Sequence, residues 1–202
     1  HLSQIFDDVR TLAEYRAGEI QLESLKMLPG TEMRRRAKEL GICYSPLPPY
    51  EVLQTREITP DELQTARQLS RLLDGFYNAS AWQEITRRLI VEEPDFLTRF
   101  LNHLIQIGVI DQPMGLERRG ILLYHFCKEH YPHFLIAMSR AWIEAGMSLK
   151  KEPAERVRTK HVTPPEAWTV CTGTYRDDLR LCKLPAPEEG RCYWYGFETE
   201  SQ

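Results

Sequence analysis

The sequence predicts a mainly α-helical protein in which a five-helix, bundle-like domain is the largest part. Apolar residues recur every three or four positions through the middle of the chain, and helix start signals precede these repeats. The composition agrees with this class, because 42% apolar and 27% charged residues are typical of a globular protein. The 202 residues suffice for one large or two small domains with a buried core.

The strongest start signal is the sequence TPDE at residues 59–62. Thr59 is expected to cap a helix, Pro60 to occupy its first position and Glu62 to complete a capping box. Ser80 with Gln83 predicts a second capping box. These two signals open the first two helices of the bundle.

Three further helices complete the predicted bundle, with starts at Pro94, Leu116 and Pro132 and a final stop at Gly146. Short connections between such helices favour a compact arrangement. The apolar positions predicted to face the core are Leu63, Ala66, Leu69, Leu73, Phe76, Tyr77, Trp82, Ile85, Leu89, Phe96, Leu97, Phe100, Leu101, Leu104, Ile105, Phe134, Leu135, Met138, Ala141, Trp142 and Ala145.

The residues before the bundle predict a helix, a strand and a second helix. Residues 2–16 have helical spacing, and Gly18 is expected to end that helix. Residues 19–27, EIQLESLKM, place apolar side chains on both faces, as in an interior strand of a sheet. A Pro-Gly turn comes next, and Thr31 is expected to cap a helix that stops at Gly41.

The predicted strand has no neighbour in this part of the sequence. Because one strand cannot form a stable sheet, its partners are expected to come from outside the chain, from a second copy, or from an improvised pairing within it. Residues 44–57, which contain Pro46, Pro48 and Pro49, read as an extended connector and a domain boundary. The predicted domains are 1–43, 44–57, 58–149 and 150–202, the last a linker with short strands that form a hairpin.

Charge, hydropathy and cysteine content exclude several classes of protein. A net charge of −3 gives no indication of nucleic-acid binding, and no apolar run could span a bilayer. Five irregularly spaced cysteines are typical of reduced thiols, so we expect a cytoplasmic protein. They form no close triplet that could hold an iron–sulfur cluster.

A stretch of the chain resembles the end of the catalytic barrel in radical S-adenosylmethionine (SAM) proteins. The similarity rests on LKMLPGT, ELGI and YSPLPPYEVL, in that order, within residues 20–55. The most similar group carries an N-terminal cobalamin-binding domain and a C-terminal domain of unknown function. Its members are described as iron–sulfur oxidoreductases or compared with anaerobic magnesium-protoporphyrin monomethyl ester cyclase. The helical block beginning ITPDELQTARQLSRLLDGFYN is similar to that last domain.

The resemblance implies that residues 1–43 are the last helix, strand and helix of a (β/α) barrel, and that the chain ends a longer enzyme. The cofactors of that enzyme would be S-adenosylmethionine, an iron–sulfur cluster and cobalamin. We expect none to bind this chain alone, because the cysteine motif for the cluster is absent. The implied partners are the preceding barrel and cobalamin domains.

One site carries over from the resemblance, the loop Leu28, Pro29, Gly30 and Thr31, which would approach the adenine of S-adenosylmethionine. Gly30 lets a backbone come close to a flat ligand, and Leu28 offers an apolar contact. The alternative reading of the same residues is a turn and a helix cap. No catalytic residue is predicted.

Three other groups of residues have a functional and a structural reading. His125, Cys127, Glu129, His130 and His133 could ligate a metal, but their spacing favours an ordinary helix end. His161, Cys171, Cys182 and Cys192 are too far apart to predict a zinc ribbon. Arg34, Arg35, Arg36 and Lys38 could bind phosphate, although a solvated helix face is the usual reading. Trp168 and Trp194 could line a groove.

These observations support two functional hypotheses. In the first, the chain is an accessory part of a cobalamin-dependent radical SAM enzyme that completes the barrel and shapes the substrate entrance. In the second, the helical block is a non-catalytic interaction or regulatory module. Both predict that the chain alone has no catalytic activity.

Overall fold

The computed structural model describes residues 1–148 and 151–154 with their side chains, and residues 157–159, 180–185 and 192–197 by their backbone. The protein is mainly α-helical, as predicted. It divides into two compact units, His1–Arg119 and Gly120–Gln202. The division does not coincide with the boundary predicted at the proline-rich segment, which lies inside the first unit.

The first unit combines six helices with a small hairpin. A π-helix, Leu73–Tyr77, directly follows the fourth helix. The helices are α1 (Leu2–Glu14), α2 (Glu32–Arg35), α3 (Ala37–Leu40), α4 (Pro60–Leu72), α5 (Ser80–Glu92) and α6 (Phe96–Gln106), and the strands are β1 (Cys43–Tyr44) and β2 (Val52–Gln54).

The capping box at the start of α4 is confirmed. The Thr59 hydroxyl accepts a hydrogen bond from the Glu62 amide at 3.3 Å, and the Glu62 carboxylate accepts one from the Thr59 amide at 2.8 Å. The second predicted capping box is wrong, because the N-cap of α5 is Ala79 and no side chain caps it. The Gln83 amide instead donates to the carbonyl of Gly18 at 2.6 Å, so it serves another segment of the chain.

The core of the first unit is built from the predicted inward positions of α4, the π-helix, α5 and α6. Phe100 stands at its centre, with its ring centroid 5.0 Å from that of Phe76 in an edge-to-face arrangement and 5.3 Å from that of Phe96. Such pairs contribute about 0.5–1.5 kcal/mol beyond the burial of their area. Buried positions that confirm the prediction are Leu69, Leu73, Phe76, Tyr77, Trp82, Ile85, Leu89, Phe96, Leu97, Phe100, Leu101 and Leu104.

The end of α1 corrects the role predicted for Gly18. The left-handed residue is Arg16, with φ of 57°, and Gly18 does not have a positive φ. The amides of Arg16 and Ala17 donate to the carbonyls of Ala13 and Leu12, which is the hydrogen-bond pattern of a Schellman motif. The helix therefore ends two residues earlier than predicted, and an arginine takes the conformation that glycine usually takes.

Residues 19–27 are extended, but the predicted strand is wrong except for one isolated bridge between Lys26 and Glu51. Between Ala17 and Leu22 the backbone bonds to side chains of residues 70–78, whereas Leu25 and Met27 bond to the backbone of the hairpin described below. The side-chain contacts run from Tyr77 Oη to the Ala17 carbonyl (2.6 Å), from Asn78 Nδ2 to the Ile20 carbonyl (2.9 Å), from the Ile20 amide to Asn78 Oδ1 (2.9 Å) and from Ser70 Oγ to the Leu22 carbonyl (3.1 Å). The missing neighbours of the predicted strand are thus supplied within the first unit.

The proline-rich segment folds as a hairpin, which corrects its prediction as an extended connector. β1 and β2 pair antiparallel, and residues 45–51 form the turn between them. The Met27 amide donates to the Tyr50 carbonyl at 2.8 Å, and the Val52 amide donates to the Leu25 carbonyl at 3.0 Å. The prolines lie in the turn, where they interrupt no ladder hydrogen bond. Met27, Ala37 and Val52 form a small buried cluster beneath the hairpin.

The helix predicted between Thr31 and Gly41 is divided. Thr31 caps α2 as expected, since its hydroxyl accepts from the Arg34 amide at 3.3 Å. Arg36 leaves helical geometry, with φ of −92° and ψ of 5°, and separates α2 from α3. Gly41 ends α3 in the left-handed conformation, as predicted, with φ of 67°.

The second unit contains most of α7 (Leu116–His130), a 3-10 helix (Pro132–Phe134), α8 (Leu135–Glu144) and a three-stranded sheet. Phe134, Met138 and Trp142 are buried as predicted. The sheet has the order β3 (Val157–Thr159), β4 (Arg180–Pro185), β5 (Cys192–Phe197), with both pairs antiparallel. The predicted hairpin is confirmed, and β3 replaces part of the predicted linker.

The longest α-helix in the described part of the chain is α7, with 15 residues. A bilayer-spanning helix needs about 20 consecutive residues of largely apolar character. None of the described helices combines the length and the apolar character needed to cross a membrane.

Candidate functional site

The loop Leu28 to Thr31 lies on the surface of the first unit. Gly30 has φ of 84°, and nothing lies within 4 Å of the position that a Cβ atom would take there. Leu28 is 51% exposed, and its carbonyl accepts a hydrogen bond from the Thr31 hydroxyl at 2.8 Å. The loop is therefore a turn and a helix cap whose outer side is open to a ligand or a second surface.

Arg34, four residues after Gly30, is held between two aromatic rings. Its Cζ atom lies 5.0 Å from the ring centroids of both Tyr44 and Tyr50, and its Nη1 donates to the Met27 carbonyl at 2.9 Å. The solvated face predicted for this arginine is wrong, because its side chain is half-buried beside the hairpin. Cation–π contacts of this kind contribute about 0.5–1 kcal/mol each at exposed sites.

The neighbouring arginines face solvent, as predicted for a charged helix surface. Arg35 pairs with Glu32 at 2.7 Å, and Arg36 pairs with Glu39 at 2.8 Å. Both side chains are largely exposed, so each pair contributes little to stability. Of the three consecutive arginines, Arg34 alone contacts the hairpin in the described structure.

Exposed apolar side chains are concentrated in residues 25–53, which we call the hairpin region. Six of the ten large hydrophobic residues that are exposed in the described part of the chain belong to it. Scattered exposed leucines are normal, and the grouping of these six within one stretch of the sequence is the feature that the proposal below uses. The six residues are Leu25, Leu28, Met33, Leu40, Leu47 and Leu53.

The hairpin region is also locally basic. Residues 25–53 contain five lysines and arginines against three glutamates, a net charge of +2 within a chain of net charge −3. All three glutamates, Glu32, Glu39 and Glu51, are already paired with arginines. The surface therefore favours an acidic and apolar partner over a basic one.

A cleft of about 610 Å³ lies elsewhere in the first unit, among α1, α4, the end of α5 and α6. Its floor is apolar, with Phe6, Ile90, Leu97 and Leu101, and its rim is polar. Its volume is in the range of small-molecule sites. None of the loop residues 28–31 lines it, and no sequence motif predicted it.

The residues at the end of α7 for which metal binding was the less favoured reading form no metal site in the described structure. Cys127 is buried, and burial raises the pKa of its thiol to about 12. His125 lies 3.8 Å from the carboxylate of Glu152, to which Lys128 is also bound. Among the residues described with side chains, no group of three or more histidines, cysteines and acidic residues could hold a metal ion.

The second predicted group falls largely outside the described residues. His161, Cys171 and Trp168 are not described. Cys182 lies in β4, and Cys192 and Trp194 lie in β5, where the backbone alone is described. The expectation that these residues form no zinc ribbon, and the possible groove at Trp168 and Trp194, are therefore not tested by the described residues.

The implied cofactors differ in how well this chain fits them. An iron–sulfur cluster needs several cysteine thiolates close together, and the two cysteines with described side chains are Cys43, exposed on β1, and Cys127, buried in α7. These residues do not fit a cluster, and they offer no cobalamin ligand set. The loop at Leu28 and Gly30 fits one side of a flat ligand such as the adenine of S-adenosylmethionine, because its backbone is accessible and its side chain is apolar.

The pairing of Arg34 with two tyrosines was not predicted from the sequence. Tyr44 and Tyr50 flank the SPLPP turn, and a hairpin brings them to one side of it. The prolines forbid helix in this segment, and the same prolines suggest a connector more readily than a hairpin.

The comparisons with known proteins identify one family. Residues 38–138, half of the chain, match the family described as "Protein of unknown function (DUF4080)". The match includes the hairpin, α4 to α6 and much of the α7–α8 segment. No curated protein and no solved structure matches the chain.

Proposed function

The chain belongs to the DUF4080 family, and we propose that it is a non-catalytic accessory domain that docks, through its hairpin region, on the catalytic barrel of a cobalamin-dependent radical SAM enzyme. The observation that carries the proposal is the concentration of exposed apolar residues between Leu25 and Leu53, next to the loop that the resemblance assigns to the cofactor. In such an enzyme the barrel would contain the cluster and the S-adenosylmethionine.

The contribution of this chain would be to cover the barrel and shape the substrate entrance. Leu28 and Gly30 would form one wall beside the adenine, as the resemblance implies, while Thr31 keeps the turn closed by its hydrogen bond to the Leu28 carbonyl. S-adenosylmethionine bound there would supply the radical chemistry. No residue of this chain is assigned a catalytic step. Cytoplasmic localisation remains an expectation from the cysteine content.

The extended segment 19–27 supports docking for a second reason. Lys26 pairs with Glu51 on one side, and we find no strand on its other side in the described structure. The Lys26 carbonyl accepts a hydrogen bond from the Leu28 amide, and the Ile20 and Leu22 contacts use further groups, so the edge is only partly used. Such an edge can accept another strand. In the longer enzyme the segment would lie against the barrel wall, so its exposed side would be covered.

Hydrogen–deuterium exchange tests the proposal. The exchange of peptides covering residues 19–28 is compared between this chain alone and the longer protein that the resemblance implies. Docking predicts slower exchange of these peptides in the longer protein, with unchanged exchange in a reference peptide from the core of α5, residues 82–90. Equal exchange of residues 19–28 in both proteins would contradict docking through the hairpin region.

Activity provides a second test in the longer protein, prepared without oxygen. Gly30→Val is expected to reduce the formation of 5′-deoxyadenosine, because a branched side chain would occupy the open side of the loop. The matched control is Gly108→Val, since Gly108 also has a positive φ, of 69°, and open space around it. An equal loss of activity in both variants would remove the assignment of the loop to the cofactor.

A second candidate function is an interaction or regulatory module, and the cleft among α1, α4 and α6 favours it. On this reading the helical part binds a ligand or partner and the hairpin region remains exposed. The same exchange experiment separates the two functions. Unprotected residues 19–28 in the longer protein, together with protection of α1 and α6, would favour the module.

A further inference from the structure

The Arg34 guanidinium has N–H donors that no group in the described structure accepts. It is oriented by two rings and one carbonyl, Tyr44, Tyr50 and Met27. A guanidinium carries five N–H donors, and the bond from Nη1 leaves Nε and Nη2 without a partner in the described part of the chain. Nε and Nη2 form the fork that binds a carboxylate with two parallel hydrogen bonds.

The three glutamates of the hairpin region are bound to other arginines and do not fill that fork. Glu32 is bound to Arg35, Glu39 to Arg36 and Glu51 to Arg67. Arg34 forms no ion pair in the described structure, although two rings and one carbonyl restrain its side chain. Restraint matters for binding, because the entropy of ordering the side chain is already lost before a partner arrives.

Tyr50 provides an independent observation. Its φ is +62°, a conformation that a bulky residue rarely adopts. The hydrogen bond from its amide to the Leu47 carbonyl, at 2.9 Å, and the one that its carbonyl accepts from Met27 keep it there. Backbone strain of this kind is concentrated at functional sites, where it holds a side chain in a required place. Here it holds the Tyr50 ring against Arg34.

We infer that Arg34, oriented by Tyr44 and Tyr50, is the anchor residue through which the hairpin region recognises an aspartate or glutamate side chain of the protein surface on which it docks. The inference rests on the proposed docking function and adds the chemistry of the partner. Arginine and tyrosine are, with tryptophan, enriched among the residues that contribute most to binding at interfaces. The exposed residues Leu28, Met33 and Leu47 are close to this centre in the chain and would exclude water from the pair.

The positive local charge agrees with an acidic partner residue. An arginine that loses water on docking requires a carboxylate, because an unpaired buried charge is strongly unfavourable. The partner surface is therefore expected to present one carboxylate surrounded by apolar side chains. A basic or purely apolar surface would leave Arg34 unpaired.

Carbodiimide coupling of the longer protein tests this inference. The carbodiimide adds to a carboxylate near the lysine of the Arg34→Lys variant and forms an O-acylisourea. The lysine amine then attacks the acyl carbon, which forms an amide and releases the urea. We expect mass spectrometry to find residue 34 joined to an aspartate or glutamate that precedes this chain. The matched control is Arg35→Lys, which is expected to couple only to Glu32 and so verifies that the reaction works.

The result can also overturn the inference. Coupling of residue 34 only to a carboxylate of this chain, to one of a second copy, or to none would show that Arg34 merely fastens the hairpin. Protection of residues 19–28 in the same longer protein would then leave the docking function standing, whereas no protection would remove it as well.

The Arg34→Gln variant gives a quantitative measure. In the longer protein it is expected to weaken docking, and so to accelerate exchange of residues 19–28, by about tenfold or more relative to Arg35→Gln. In this chain alone, the exchange rates of residues 19–28 should differ much less between the two variants. An equal acceleration in both proteins would mean that Arg34 stabilises the hairpin without recognising a partner.

Discussion

Asn78 binds both backbone groups of Ile20 with its side-chain amide. The Ile20 amide donates to Oδ1 at 2.9 Å, and Nδ2 donates to the Ile20 carbonyl at 2.9 Å. The asparagine thus occupies the place of a neighbouring strand for one residue. This contact explains how an extended segment with apolar residues on both faces is held without a sheet.

Loss of the hydrogen bonds between Asn78 and Ile20 is expected to lower the stability of the protein. Asn78→Ala leaves two backbone groups of the nearly buried Ile20 without their partners, so we expect the free energy of unfolding to fall by about 1–3 kcal/mol. Urea denaturation measures the change. The control is Asn102→Ala on α6, an exposed residue for which we expect less than about 0.5 kcal/mol. Similar losses in the two variants would contradict the role of Asn78.

The two glycines predicted to end helices are expected to respond in opposite ways. Gly41→Ala places a side chain in a left-handed conformation and close to the side chain of Arg56, so a loss of about 1–2 kcal/mol is expected. Gly18→Ala meets no atom within 4 Å and no unfavourable φ, and should be neutral or stabilise by about 0.4–1 kcal/mol. Thermal unfolding measures the change in stability for the Gly41→Ala and Gly18→Ala variants. A loss at Gly18 equal to that at Gly41 would restore its predicted role as a helix cap.

The capping box of α4 predicts a dependence of stability on pH. Hydrogen bonds from the backbone amide and hydroxyl of Thr59 lower the pKa of Glu62. A lowered folded-state pKa means that the contribution of the carboxylate is present above its unfolded pKa and is lost as the pH falls through the folded one. The box should therefore stabilise α4 at neutral pH and weaken in acid.

Thr59→Ala tests this dependence. We expect it to reduce the free energy of unfolding by about 1 kcal/mol at neutral pH, and the difference from the unaltered protein to shrink as the carboxylate is protonated. Thr65→Ala is the matched control, because the Thr65 hydroxyl bonds only to the Asp61 carbonyl inside the helix. A difference that stays constant with pH would show that Glu62 does not contribute through its charge.

The two cysteines with described side chains should differ in reactivity. Cys43 is exposed, whereas burial raises the pKa of Cys127 to about 12, which leaves almost no thiolate near neutral pH. Iodoacetamide should therefore label Cys43 in the folded protein and Cys127 only after denaturation, as followed by peptide mass spectrometry. Rapid labelling of both in the folded protein would show that the second unit opens.

Periodicity predicted the helices well because their inward side chains are those of a regular amphipathic pattern. The start of α4 at Thr59 and the burial of Phe100 depend on local signals that no tertiary contact overrides. The prediction for the extended segment failed for the opposite reason. Nothing in residues 19–27 indicates that Asn78, almost sixty positions later, supplies the hydrogen bonds that a strand would otherwise need.

The candidate site was only partly predictable from the sequence. The turn at Gly30 and the cap at Thr31 depend on neighbouring residues, and both were predicted. The position of Arg34 depends on a hairpin whose turn contains three prolines. Because prolines indicate a connector more readily than a hairpin, the sequence did not predict the short strands on either side of them. The charge run at residues 34–36 gave no sign that one of its members would be half-buried.

The number of residues in the π-helix Leu73–Tyr77 determines the direction in which Asn78 points relative to α4. The wide turn of this helix, closed by the hydrogen bond from the Asn78 amide to the Leu73 carbonyl at 2.7 Å, holds one residue more than an α-turn would. If the same residues wound as an ordinary α-helix, the extra residue would rotate Asn78 and the start of α5 by about 100° relative to α4. A relative with one residue fewer at this point would therefore place its equivalent of Asn78 in the same direction with an ordinary α-turn, so a one-residue gap in an alignment here would indicate loss of the π-turn and not loss of the anchor of the N-terminal segment.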